Sequence, residues 1–175
     1  MTTIWTRRTF LLSSLIGGAL VGCGQPTSTP AIAALEIDPH TTCDLDGMLL
    51  IDYAGPKAQI FYAGQSSPRF FCDTIEMFHT ILSPEQVKPI KAIYVQDMGK
   101  ADWDQPLGHW VAAENASYVL GSKRHGSMGP TIGSFAHVSD AKKFAANWGG
   151  KLLAFSEIKA DMVDLSGGAL HDSRM

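Results

Sequence analysis

Apolar and polar positions change period several times along the chain. Met48 to Tyr53 and Ala58 to Tyr62 are short apolar runs around the turn sequence Ala54-Gly55-Pro56, a pattern that predicts two strands. Arg69 to Cys72 predicts a short aromatic strand. The period then lengthens. Ile75, Phe78 and Leu82 share one helical face, and Asp73 followed by Glu76 reads as a capping box at the start of that helix. Ile90 to Gln96 predicts a returning strand.

The order then recurs. Gly108 to Ala112 and Ser117 to Leu120 predict strands, and Thr131 to His137 a third, with Ile132 and Phe135 packed. Ser139 is placed to cap a helix in which Ala141, Phe144, Ala145 and Trp148 fall at i, i+3, i+4 and i+7. Gly149 stands at its C′ position, and Lys151 to Phe155 returns as a strand. The expected class is α+β, with two similar ββαβ halves over about 41–100 and 101–160. The repeat lies in the order of elements, because residue identity between the halves is low.

The ends read differently. Phe10 to Val21 is an apolar and small run preceded by Arg7 and Arg8, with no acidic residue before Glu36. It is far shorter than the ~20 residues needed to cross a hydrocarbon core, so it predicts a signal peptide and not a span. Leu20-Val21-Gly22-Cys23 is a lipobox, and predicts cleavage after residue 22 with lipid carried on Cys23. The context of Arg7-Arg8 is compatible with either a twin-arginine or a Sec signal. Gly24, where an Asp would signal inner-membrane retention, favours the outer membrane. Residues 23–40 are small, polar and Pro-containing, and predict a tether; 161–175 predicts a flexible tail.

Composition removes several function classes. Without the two leader arginines, 12 basic residues face 17 acidic ones, a formal charge of −5. No basic cluster supports nucleic-acid binding. The sequence has no Gly-x-Ser-x-Gly, phosphate loop, dinucleotide fingerprint or Cys-x-x-Cys. No catalytic residue is assigned, and the expected function is not that of an enzyme.

The candidate chemistry is soft sulfur. Cys43 and Met48 stand five residues apart across a Gly-containing turn, and thiolate with thioether is the donor set that selects Cu(I). Met128, in Gly126-Ser127-Met128-Gly129, is a second candidate, and His125 a weaker one. Met48 serves equally well as core, and Cys43 and Cys72 equally well as a structural disulfide. A structural or interaction lipoprotein with that disulfide and no metal is the alternative function.

The segments Cys43 to Leu50, Asp52 to Ile60, Arg69 to Phe78, Gly126 to Gly129 and Ala141 to Gly150 together resemble the NosL family, accessory lipoproteins of nitrous oxide reductase. The resemblance runs from about residue 43 to 158. It implies a periplasmic Cu(I) chaperone serving assembly of the reductase's copper sites during denitrification, with an ABC-type transporter complex as further partner. It also implies two ββαβ halves, with Cys43 and Met48 as the leading ligands, Met128 matching the methionine of the second half's Met-Gly loop, and His125 a weaker candidate. Some relatives carry a second cysteine immediately before the Gly-Met pair, where this chain has Asp46. Cys72 is expected to contribute little to copper binding.

Overall fold

Asp73 opens helix α1 (Thr74–Leu82) as its sequence context predicts: its side chain accepts a hydrogen bond from Ile75 N at 3.0 Å. This satisfies one of the amides that the first turn leaves without an intrahelical partner. The helix belongs to a computed structural model that describes residues 32–165. Strands β1 (Ala58–Tyr62) and β2 (Arg69–Phe71) precede it and β3 (Ile90–Gln96) follows. β1 lies between β2 and β3, antiparallel to both, and β4 (Trp110–Ala112) extends the sheet beyond β3.

The second sheet repeats this arrangement. β5 (Ser117–Gly126) lies between β6 (Gly129–Phe135) and β7 (Lys151–Ala154), antiparallel to both, with α2 (Val138–Trp148) connecting β6 to β7. Each half is ββαβ with the first strand in the middle. The protein is α+β, as the pattern of elements predicts.

Alternation along β5 sorts side chains onto two cores. Tyr118 points into the main core with Ile60, Phe71, Met77, Phe78, Val95, Ile132 and Leu153, drawn from both halves. Val119 points the other way, to Phe135 and Ala141 beneath α2. In the main core Phe78 packs edge-on against Tyr118, with ring centroids 5.0 Å apart, and Tyr118 donates to Ala113 O at 2.6 Å. A shared core of this kind joins the halves into one hydrophobic unit.

Several expected boundaries move. Met48 to Tyr53 is not a strand: it makes one isolated bridge, Thr42 to Leu49, and then a 3-10 turn at Leu50–Asp52. Only Leu50 of its apolar run is buried, while Leu49 and Ile51 face solvent. The segment folds back on its own loop, through Cys43 N to Met48 O at 2.8 Å and Leu50 N to Thr41 O at 3.0 Å. The 108–112 strand is real but shorter, and it joins the first sheet and not the second. α2 begins one residue before the expected cap, and no side chain caps it.

The ends of the folded region also lie outside 41–160. Gln59, buried on the outer side of β1, grips the backbone of Leu35 twice: its Oε1 accepts from Leu35 N and its Nε2 donates to Leu35 O, both at 2.9 Å. Tyr94 donates to Ile32 O. The expected tether is therefore docked from residue 32, because the amide replaces a strand partner for that stretch. At the other end Val163 is in the main core. Arg7, Arg8, Cys23 and the tail beyond 165 lie outside the described residues.

Gln59→Leu keeps the volume and removes both hydrogen bonds. It should cost about 1–3 kcal/mol in denaturant unfolding, since two part-buried backbone groups lose their partner, and should speed proteolysis between residues 32 and 40. Unchanged cleavage there would show that the segment is held by something other than the amide.

Candidate metal centre

The site grows from a loop that closes on itself. Gly47, at φ 78°, takes a left-handed conformation open to glycine without strain, and its N–H donates to Cys43 O at 3.0 Å. Asp46 Oδ1 accepts from Met48 N at 2.9 Å. Asp44 ties the loop to β2, its amide donating to Phe70 O at 2.8 Å and its carboxylate receiving Arg69 Nη1 at 2.7 Å on both oxygens. Cys43 is thereby turned inward and buried.

There it meets the junction of β2 and α1. Cys43, Cys72 and Leu50 form one small apolar cluster, against which Met48, Ile37 and Phe70 pack. Both cysteines are free thiols. One oxygen of Glu76 lies 3.2 Å from Cys43 Sγ and 3.3 Å from Cys72 Sγ, and its other oxygen lies 3.2 Å from Cys72 Sγ. One donor atom each from Cys43, Asp46, Cys72 and Glu76 lies within 4.8 Å of all the others. Among the described residues this is where thiol and carboxylate donors converge, with no histidine among them.

The second half reaches the same place through the β5–β6 hairpin. Gly126 pairs with Gly129, leaving Ser127 and Met128 as its two-residue tip, and Ser127 Oγ lies 3.2 Å from Cys72 Sγ. Met128 is adjacent to that contact and 44% exposed. The close approach depends on Gly126: a Cβ there would lie 1.9 Å from Asp73 Oδ2. Trp103 Nε1 donates to His125 O at 2.9 Å and holds the hairpin from outside.

The electrostatics are those of a crowded, half-dry acidic pocket. The S–H of Cys72 pulls Cys43 down to about 6, assisted by neighbouring backbone amides and opposed by burial. The same contact, with burial and the charge of Glu76, pushes Cys72 up. Burial, then the charge on Cys43, raises Glu76 to about 8. The pair thus carries one thiolate readily, and a second only when a cation replaces the lost proton. Beneath lies Lys57, fully buried, donating to Ala54 O at 3.0 Å and Cys72 O at 2.9 Å. Burial lowers its pKa, while Asp73, Cys72, Glu76 and Cys43 act to keep it charged.

Comparison with known proteins shows the family. The NosL family model matches residues 34–163. The chain belongs to the NosL family. It is 38% identical over 162 residues to the copper-binding lipoprotein NosL of Achromobacter cycloclastes, covering 90% of this chain and 83% of that protein. It is 33% identical over 168 residues to the protein of the same name from Stutzerimonas stutzeri, covering 93% and 87%. The crystal structure of the copper chaperone NosL from Shewanella denitrificans matches with a TM-score of 0.71 at 38% identity, covering 76% of this chain and 99% of that one.

In this NosL chain the sequence-predicted residues separate into groups. Met48 packs against the small cluster that holds Cys43. Met128 stands at the exposed hairpin tip next to Ser127, which touches Cys72, whereas the His125 side chain is exposed and outside the converging group. Cys72, expected to contribute little, lies in the centre of the cluster. Glu76 was read as the far end of a capping box, but its carboxylate faces the two thiols instead. Cys72 stands just after β2 and before the Asp73 cap, and Glu76 lies in the first turn of α1, so the strand-to-helix junction brings them together and no helical spacing announces it.

Two outcomes follow from the packing. Gly126→Ala should destabilise the protein by at least about 2 kcal/mol through overpacking against Asp73. Gly121→Ala, where φ is 76° and nothing lies within 4 Å, should cost only about 1–2 kcal/mol from its left-handed backbone. Equal losses in urea unfolding would deny the close approach. The second outcome concerns Asp73, fully buried and raised by that burial to about 7 against hydrogen bonds from Thr131 and Ile75. A raised folded-state pKa favours folding most below the unfolded value near 3.8, and this contribution is lost as pH rises through about 7. Asp73→Asn should therefore gain stability relative to wild type between pH 4.5 and 7.5. Parallel stability curves would contradict it.

Proposed function

We propose that this chain is a lipid-anchored Cu(I) chaperone on the periplasmic side of the cell envelope, supplying copper for maturation of nitrous oxide reductase. The observation that carries the reading is the convergence of two free thiols, Cys43 and Cys72, beside the thioether of Met48 in a half-buried pocket. Copper is the cargo. Cys43 and Cys72 supply anionic sulfur and Met48 a neutral sulfur, the donor set that prefers Cu(I) over harder cations. Two relatives bear the name copper-binding lipoprotein and a third the name copper chaperone.

Each neighbour has a task in loading and release. Glu76 is within hydrogen-bond reach of both sulfurs and, in its ionised form, accepts the proton that Cys72 gives up when the metal enters. Lys57 offsets the negative charge of two thiolates from below without competing for them, because it bonds only to carbonyl oxygens. Met128, on the exposed hairpin tip, is the thioether placed to join or leave as the cargo passes to an acceptor. His125 is the weaker candidate for that task.

Delivery to nitrous oxide reductase through an ABC-type maturation complex rests on the family relationship; the lipid on Cys23 behind an Arg7-Arg8 export signal rests on the lipobox and the apolar run before it, and is supported by the name lipoprotein that two relatives bear. The outer membrane is the favoured site. The reading requires binding and transfer, and no turnover by the chain itself.

Anaerobic titration of the reduced protein with Cu(I), in competition with a chromophoric chelator, tests the site. One ion should bind per chain. Cys43→Ser should weaken binding by more than about 100-fold and Cys72→Ser by about 10–100-fold, each tenfold being ~1.4 kcal/mol. Met48→Leu and Met128→Ile should cost less, with apo stability kept. Wild-type affinity in the double variant Cys43→Ser, Cys72→Ser would end the proposal.

A further inference from the structure

We propose that Cys43 and Cys72 form a reversible redox pair whose disulfide shuts the metal site, so that the protein loads its cargo only when the pair is reduced. The inference rests on the copper reading for the identity of the cargo, and on the geometry of the thiols for everything else. The two sulfurs belong to one cluster with Leu50 and lie within 4.8 Å of each other. They sit on segments already joined by Asp44 N to Phe70 O at 2.8 Å and by the Asp44–Arg69 ion pair. Bringing them to the ~2 Å of a disulfide therefore needs a local adjustment of the Cys43 loop.

Their surroundings assign different roles. A cleft of about 470 Å³ has Cys43, with Thr41, Thr42, Asp44 and Arg69, in its lining and not Cys72; both cysteines are buried, Cys43 3% exposed and Cys72 fully enclosed. Cys43, on the loop that borders the cleft, is thus the thiol that an external disulfide reaches first once that loop shifts, and the amide of Leu45 donates to its sulfur at 3.4 Å. Cys72 is the resolving thiol, with Glu76 Oε1 3.2 Å from its sulfur as the proton acceptor.

The co-reactant is a low-molecular-weight or protein disulfide. Cys43 thiolate attacks one of its sulfurs, the external S–S bond breaks, and one external thiolate leaves, taking up a proton from water. Cys72 passes its proton to Glu76 and attacks Cys43 Sγ. The intramolecular S–S bond forms as the mixed disulfide breaks, and the second external thiolate leaves. Two protein thiols are oxidised and one external disulfide is reduced to two thiols. A dithiol donor reverses both steps. The oxidised sulfurs carry no charge and lose the donor character that a soft cation requires.

The test uses the full chain in detergent, equilibrated without oxygen across glutathione redox buffers, then acid-quenched, alkylated and weighed by mass spectrometry. The expected result is a two-electron midpoint within the buffered range, with Cys43 and Cys72 both protected from alkylation in the oxidised form. Cys72→Ser should instead hold a glutathione adduct at Cys43. Repeating the series with chelator-buffered Cu(I) should raise the midpoint by ~30 mV for each tenfold excess of free Cu(I) over its Kd, the equivalent of tenfold in a two-electron equilibrium. Wild type that stops at the mixed disulfide overturns the pair. Protein that stays oxidised at every ratio overturns the switch in favour of a static disulfide. Reduced protein that binds Cu(I) while the midpoint stays fixed overturns the gate alone. Reduced protein that binds no Cu(I) overturns the copper reading as well.

Discussion

The site exists because two halves with separate sheets meet at the first turn of α1. Asp73 caps the helix with the same oxygen that accepts Thr131 Oγ1 from β6 at 2.5 Å. Thr74, the next residue, donates to Ile132 O at 2.5 Å. A single buried turn therefore satisfies its own helix start and fastens the opposite half. The geometry leaves no room for side-chain bulk behind it, which is why Gly126 faces Asp73 and why a Cβ on Gly55 would lie 2.6 Å from Gly126 Cα. With Gly126 seated, the two-residue tip beyond it must pass over Cys72.

This contact has an electrostatic cost that the neighbourhood shares. Asp73 Oδ2 has no hydrogen-bond partner among the described residues, and a bare buried carboxylate would be expensive. The raised pKa lets Asp73 carry a proton over much of the acidic range, while Lys57 offers a compensating charge when it does not. The same lysine lies under the thiols. One buried ammonium is therefore shared between the helix cap, which is structural, and the sulfur cluster above it. On the copper reading, Cu(I) held by two thiolates carries one net negative charge, the same as the apo pair with a single thiolate, and Lys57 is in place to balance it in both states.

Much of the frame was legible in the sequence because its periods are local. Strand alternation, the Asp73 cap and the Gly149 stop each depend on residues within a turn or two, and the ββαβ order follows from them. The run from Met48 to Tyr53 was misread for an equally physical reason. Its apolar residues serve a loop that hydrogen-bonds to itself, and an apolar run does not say whether a sheet edge is available to receive it. Likewise nothing near Leu35 announces that a glutamine 24 residues away will take both of its backbone groups. Cys43 and Met48 were recognisable as a pair because they are close in sequence. Cys72 was joined to Cys43 only as a disulfide partner and Glu76 not at all, because the contact between Cys43 and Glu76 spans 33 residues.

The position of Asp46 shows what such a contact does for the site. A cysteine there would put both thiols on one flexible loop, so that a metal could be held without any reference to the rest of the fold. In this chain the second thiol comes from the end of β2, next to the cap that binds the halves together. A ligand bridging Cys43 and Cys72 must then fix the loop against the sheet. By linkage, whatever holds that loop in place, including the Asp44–Arg69 pair and the packing of Ile37 from the docked N-terminal segment, contributes to affinity. Separating the thiols also gives each a different neighbourhood around the Glu76 they share, Cys43 on the loop that borders the cleft and Cys72 under the hairpin tip. Placing two like donors on two elements thus converts a simple chelating loop into a site whose occupancy and oxidation state are both coupled to the joint between the halves.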